Sequence, residues 1–266
     1  RERVRNLIGE IRAGLKDTLL SAGHIAAVNR AASYFSESGV FQDVTKGIAY
    51  YRFLEGLTED RALTAFSERA KAVLAETVRS GRLLIHLTAE PAGKAAVLPL
   101  LTELPARYPA GGKGEPRFRF AEAIKREGFG SASRVNYVAR IGNFRTGGFR
   151  YTGALRIAQT MLSYGYLWNE IRSKGGAYGC AVRFGRGGSV VFSSYRDPKL
   201  EETDKVYEGV PGYLEQYEAD EREMTKAVIG AIGEMDTPRT PQLSGLLALS
   251  AYYSKVTDEM FSTERA

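Results

Sequence analysis

One stretch constrains the fold of this chain more than any other: YTGALRIAQTMLSYGYLWNEIRSKGGAYGCAVRFGRGGSVVFSSYR, residues 151–196. Ile157, Met161, Tyr164, Trp168 and Ile171 recur at spacings of four and three, with Leu155, Ala158, Leu162 and Gly165 as a second apolar stripe beside them. Two adjacent stripes predict a helix buried over much of its girth. Arg172 falls in the last turn, where a cation suits the negative end of the helix dipole. Gly175 and Gly176 supply the backbone freedom of a C-terminal cap. The period then changes to two. Tyr178, Cys180, Val182 and Phe184 alternate with smaller or polar residues, Gly185 to Gly188 makes a turn, and Ser189 to Tyr195 returns as a second strand. A helix followed by a β-hairpin places Arg172 at the end of one element and Tyr178 at the start of the next, so both can project into one cleft.

The flanking sequence is read in the same way. Residues 1–57 are helical, with apolar faces at Val4, Ile8, Ile11, Leu15 and Leu19, over 24–35, and over 44–57. Thr58 is placed as the cap of a further helix carrying Leu63, Phe66, Ala70, Val73 and Leu74. Residues 82–88 (RLLIHLT) and 133–141 are expected as strands, and 91–104 as a helix opened by proline. Residues 108–118, rich in Gly and Pro, are a loop. Helices follow over 198–214, interrupted at Pro211-Gly212, from a capping box at Asp220 and Glu223 to Met235, and over 243–253. The expected fold is α+β, a mixed or mostly antiparallel sheet with helices packed on one face, preceded by a helical segment.

Composition excludes several classes of function. A single cysteine, Cys180, precludes an intrachain disulfide or a CxxC metal site. With no histidine near it in sequence, Cys180 reads as a small buried residue and not a nucleophile. The two histidines, His24 and His86, do not form a His-x-x-Glu-His motif, so no catalytic metal site is expected in this chain. His86 and Glu90 are four apart, but on a strand and the turn after it. No apolar run is long enough to span a bilayer. The net charge of +6 includes a cluster at Lys113, Arg117, Arg119, Lys125 and Arg126. A solvated basic surface accounts for it better than nucleic acid, because no nucleic-acid-binding motif accompanies it. The N-terminus begins within an amphipathic helix and lacks Met, which reads as a boundary inside a longer protein, and the C-terminus stops just after a new helix starts at Thr257-Asp258.

RVNYVARIGN (134–143), YLWNEIRSKGGAYG (166–179) and SYRDP (194–198), with SAGHIAAVNRAASYFS (21–36), resemble the inverzincin zinc peptidases of the M16 family, in their presequence-protease-like branch, subfamily C. The resemblance implies a division into 1–57, the helical tail of a preceding peptidase domain, and 58–266, a C-terminal α+β domain. It also implies a half-chamber that closes over zinc held by the N-terminal half of the same polypeptide, with unfolded peptides as substrates and no cofactor, nucleic acid or membrane partner for this portion. By the same resemblance Arg172 and Tyr178 are the catalytic candidates, and Asn136 and Tyr137 line the chamber as substrate-binding candidates. A bacterial protein of this kind would be cytoplasmic, and a eukaryotic one would lie in an organellar matrix.

Residue type alone gives Arg172 and Tyr178 ordinary roles: an arginine bonding helix-end carbonyls and a tyrosine packed on a sheet. Asn136 and Tyr137 can likewise be sheet residues satisfied by their neighbours, and Trp168 and Tyr166 read as core. The alternatives for the whole are a non-catalytic structural or peptide-binding subunit of the same superfamily, or an unrelated binding module using the basic loop.

Overall fold

The computed structural model describes residues 2–111 and 123–265. In chain order these residues form α1 (Glu2–Ser21), α2 (Gly23–Ala32), α3 (Glu37–Lys46), α4 (Ile48–Glu55), α5 (Asp60–Thr77), α6 (Pro91–Glu103), β1 (Ala139–Asn143), α7 (Ala154–Met161), β2 (Gly179–Phe184), β3 (Ser189–Tyr195), α8 (Glu201–Glu208), α9 (Val210–Glu215), α10 (Glu221–Met235), α11 (Pro241–Ser254) and α12 (Asp258–Arg265). The fold is α+β with one small antiparallel sheet, ordered β1-β3-β2. The chain divides into two compact units. One contains residues 57–111 and 236–265, and the other contains 2–56 and 123–235.

In the second unit the sheet register puts Cys180, Val182 and Phe184 opposite Ser194, Phe192 and Val190, on one face. That face packs with Leu162, Leu167, Ile171, Tyr207 and Val210 as the core. Strand alternation turns Ser193 and Tyr195 to the other face, and there α2 reaches Tyr195 through His24, whose ring meets it edge-on at 4.8 Å. Behind the core Asp197 is fully buried. Its side chain accepts from Lys199 N at 2.9 Å and from Thr203 Oγ1 at 2.8 Å, which ties β3 to α8. On the outer side of α2, Arg30 bonds Asp43 at 2.8 Å and Glu127 at 2.7 Å, fastening the helices of 2–56 to residues 123–129.

The central helix departs from the expected pattern. After α7 it continues as π-helical turns, Leu162–Tyr166 and Trp168–Ser173. The wider turn brings residues five apart onto one line. Leu162 and Leu167 are therefore the fully buried pair, joined by Ile171, while Tyr164 is 70% exposed and Trp168 37% exposed. The stripe drawn at α-helical spacing through Tyr164 and Trp168 is thus not the buried one, because the helix changes its period within it.

Other expectations are corrected. Residues 83–90 make no strand ladder among the described residues, and Leu83, Leu84, Ile85 and Leu87 are all exposed. A strand needs a partner for its backbone groups as well as β-forming residues. Thr58 is not the cap: Glu59 occupies that position and makes no side-chain bond. The ladder of β1 begins at Ala139, later than expected, with only an isolated bridge upstream from Asn136 to Asp197. The helix read over 44–57 is two, broken at Gly47. The break near Pro211 and the cap at Asp220, which accepts from Glu223 N at 2.7 Å, form as expected.

In the first unit few side chains are buried among the described residues: Leu57 ahead of α5, Leu63 in α5 and Glu264 in α12. Arg265 and Asp236 form an ion pair there, with one bond of 2.7 Å. No helix among the described residues is long and apolar enough to cross a membrane.

Candidate functional site

The central helix ends in a double backbone cap. Ala177 N donates to Ile171 O at 3.1 Å and Gly176 N to Arg172 O at 3.0 Å. Gly176 has φ +83, the left-handed conformation this closure requires and glycine adopts without strain. The carbonyls of Ile171 and Arg172 are thus satisfied by backbone donors. The Arg172 guanidinium takes no part in the cap and has no ion-pair or hydrogen-bond partner among the described residues. Instead it lies over the Trp168 ring, 4.0 Å from the centroid, and 6.0 Å from the Tyr178 ring.

Tyr178 stands where β2 begins. Its N–H donates to Tyr195 O at 3.1 Å, which fixes its backbone at the end of the sheet. Its side chain is 67% exposed, and its hydroxyl has no partner among the described residues. Arg172 and Tyr178 therefore share one side of the sheet end and open to solvent together. Arg172 does not cap the helix as residue type alone suggests, while Tyr178 keeps an edge contact with Tyr195 on the sheet.

From Tyr178 a file of rings runs along the sheet end. Tyr178 meets Tyr195 at 5.8 Å, Tyr195 meets Tyr137 at 5.6 Å and His24 at 4.8 Å. Tyr137 is half-buried, and its hydroxyl donates to Leu20 O at 3.1 Å. Tyr137 connects to the Arg172–Tyr178 pair through Tyr195. Asn136 acts through its backbone, exchanging hydrogen bonds with Asp197 at 2.7 and 2.9 Å. It makes no described contact with the pair.

Trp168 is the residue that sequence reasoning missed, since helical spacing places it with Tyr166 in the core. Tyr166 does pack inward, stacking on Tyr213 at 4.5 Å, but Trp168 lies partly in solvent beneath Arg172. The signal available was its place four residues before an arginine at a helix end, a spacing that brings side chains together.

Cys180 lies close to this site, but burial pushes its thiol up to about 11, and the neighbouring Arg172 offsets this only in part. It is not a thiolate nucleophile. For a metal, no three of the described His, Cys, Asp or Glu side chains converge. His24 is wedged among tyrosine rings with Nδ1 buried and unpartnered among the described residues, and burial lowers its pKa. His86 and Glu90 line a shallow depression of about 450 Å3 in the first unit, where the other polar side chains are Thr88 and Gln242. The described donors therefore do not fit a catalytic zinc. Of the basic cluster, Lys113, Arg117 and Arg119 lie outside the described residues. Lys125 sits 5.1 Å from the Tyr34 ring, and Arg126 is 3.8 Å from Glu208.

Comparison with known proteins agrees with this architecture. Residues 126–265 match the family described as PreP C-terminal domain, and residues 1–57 match the associated region of peptidase family M16, subfamily C. Protein HypA of Clostridium perfringens is 33% identical over 99% of this chain and 27% of its own length. Presequence protease 1, chloroplastic/mitochondrial, of Arabidopsis thaliana is 28% identical over 97% of the chain and 24% of its own length. The mitochondrial presequence protease of Danio rerio is 25% identical over 99% and 28%. The chain spans about a quarter of the length of these curated relatives. It belongs to the PreP C-terminal domain family and is a C-terminal portion of a peptidase of family M16, subfamily C.

Proposed function

We propose that this chain is the C-terminal half-chamber of a zinc-dependent metalloendopeptidase that degrades short unstructured peptides. Arg172 and Tyr178 supply substrate and transition-state contacts, and the zinc is held by the part of the polypeptide outside this chain. Residues 1–57 would be the helical tail of the preceding peptidase domain, and 58–266 the C-terminal domain. The observation that carries the reading is the exposed Arg172–Tyr178 pair, whose donors have no partner among the described residues. Side chains held in place by backbone caps and ring contacts, yet unbonded at their polar ends, suit a ligand that arrives from solution.

Peptide hydrolysis builds negative charge on the carbonyl oxygen of the scissile bond. A phenolic donor aimed at that oxygen stabilises the transition state by roughly 3–4 kcal/mol where the site is closed to water. The Tyr178 hydroxyl fits that task. The Arg172 guanidinium presents a planar fork of N–H donors that suits a peptide carbonyl or carboxylate. Tyr137 extends the surface for substrate through Tyr195, while Asn136 contributes by fixing the 134–138 segment. The bound zinc would supply the activated water, and no group of metal-ligating side chains among the described residues takes over that role.

The test is hydrolysis of a fluorogenic peptide by the full-length protein. Arg172→Ala should lower kcat/KM by about 100-fold, and Arg172→Lys, which keeps charge but loses the fork, by about ten-fold. Equal turnover in all three proteins would contradict the assignment.

A further inference from the structure

A depression of about 650 Å3 opens beside the ring file, lined by the end of α1, by residues 132–135 and 137, and by Arg196. Two of its lining groups are arginines, Arg134 and Arg196. Elsewhere in the chain arginines at packed positions take carboxylates: Arg30 bonds Asp43 and Glu127, Arg140 bonds Asp204 and Glu208. Arg134 and Arg196 are exposed at the rim of the depression and have no carboxylate within ion-pair distance among the described residues, although Asp17 lines the same depression. Arg196 is held in the left-handed region at φ +48, a conformation that is strained for a residue with a Cβ. The surrounding structure enforces it. Tyr178 N donates to Arg196 O at 3.3 Å, the next residue, Asp197, is locked to Asn136, and the Arg196 guanidinium lies 5.5 Å from the Tyr195 ring.

The other side of the depression has the opposite character. Asp17, Leu20 and Ser21 belong to the carbonyl end of α1, where partial negative charge accumulates. Arginine donors facing helix carbonyls and one aspartate suit a ligand that carries a carboxylate and also amide N–H donors. A simple inorganic anion would meet both. We propose that this depression binds a carboxylate of a peptide, either its C-terminus or an acidic side chain, with Arg134 and Arg196 as the donors. The inference rests on the peptidase reading only for the identity of the ligand as a peptide. Tyr195 touches both Arg196 and Tyr178, so a carboxylate held here places the rest of the peptide against the Arg172–Tyr178 pair.

The test is stopped-flow fluorescence anisotropy on the full-length protein, read before turnover. The probes are one labelled neutral peptide as its C-terminal acid, the same peptide as its amide, and the amide with one Glu added. The acid, the Glu-bearing amide or both should bind about ten-fold more tightly than the neutral amide, as expected for one charge-assisted contact at a partly open site. Which of them gains affinity identifies the source of the carboxylate. Arg134→Gln combined with Arg196→Asn should bring all three within about two-fold of one another; asparagine tolerates the left-handed backbone, so the turn survives. Arg134→Lys should keep the preference. Equal binding of all three peptides by the unaltered protein, or an undiminished preference in the double variant, overturns the proposal. Because the signal needs no hydrolysis, a protein that discriminates among the peptides but cleaves none contradicts the peptidase reading and leaves this one standing.

Discussion

The central carbon of the Arg172 guanidinium lies over Trp168, 4.0 Å from the ring centroid. An aromatic platform orients a guanidinium without neutralising it and without using its N–H donors. A carboxylate anchor would do both. We predict that in the full-length protein Trp168→Ala lowers kcat/KM roughly ten-fold, in line with the loss of about 1–2 kcal/mol of orientation. Trp168→Phe should restore most of it. Because Trp168 is 37% exposed, the melting temperature should move little. A fall in melting temperature that tracks the fall in activity would make Trp168 a packing residue instead.

Asp197 carries a structural load just behind the site. Its carboxylate accepts from Lys199 N and Thr203 Oγ1, and its backbone pairs with Asn136. Asp197→Ala leaves a buried hydroxyl and an amide without acceptors. It should cost about 2–4 kcal/mol, measured by denaturant unfolding. Asp197→Asn, which keeps one oxygen acceptor, should cost less than half of that.

Gly23 allows α2 to approach the ring of Tyr137. A Cβ there would overlap that ring. Gly23→Ala forces the ring or the helix to move and strains its bond to Leu20 O, so a loss of about 1–3 kcal/mol is expected. Combining it with Tyr137→Ala should recover part of the loss. Strict additivity of the two would argue against the contact.

Acid should loosen the attachment of 2–56. Bonding to Arg30, helped by Tyr34, lowers the Glu127 pKa from 4.5 to about 2. The folded pKa is depressed, so the stabilisation is complete above the unfolded value and is lost as pH falls through the interval from 4.5 to about 2. Amide exchange in α2 and α3 should quicken across that interval. Glu127→Gln should flatten the pH response and cost about 1 kcal/mol at neutral pH, a small value because the pair is partly solvated. An identical acid response in the variant would assign it to other carboxylates.

Local chemistry made much of this legible in advance. The helix-then-hairpin of 151–196 follows from a change of period from 3.6 to 2, and the cap at Gly176 from glycine at the one position needing positive φ. The peptidase resemblance rests on part of that stretch, 166–179, together with 134–143, 194–198 and 21–36. The π-helical turns were hidden, because their period belongs to the packed state: Leu162 and Leu167 sit five apart, a spacing that sequence reading assigns to no regular face. The exposure of Trp168 was lost with them. Residues 82–88 have strand-forming composition, yet composition does not supply a neighbouring strand. The ring file and the depression beside Arg196 bring together residues more than a hundred positions apart, His24 with Tyr195 and Asp17 with Arg196. No pattern within one segment encodes such neighbours.

If this chain supplies an oxyanion donor to a metal centre carried elsewhere in the polypeptide, Tyr178 is the side chain that does so. The most direct measurement is peptide turnover by full-length Tyr178→Phe, alongside its zinc content. The expected result is a kcat lower by about 100-fold or more with zinc retained, since only the hydroxyl is lost. Turnover equal to that of the unaltered protein, with zinc equally bound, would contradict the proposed role.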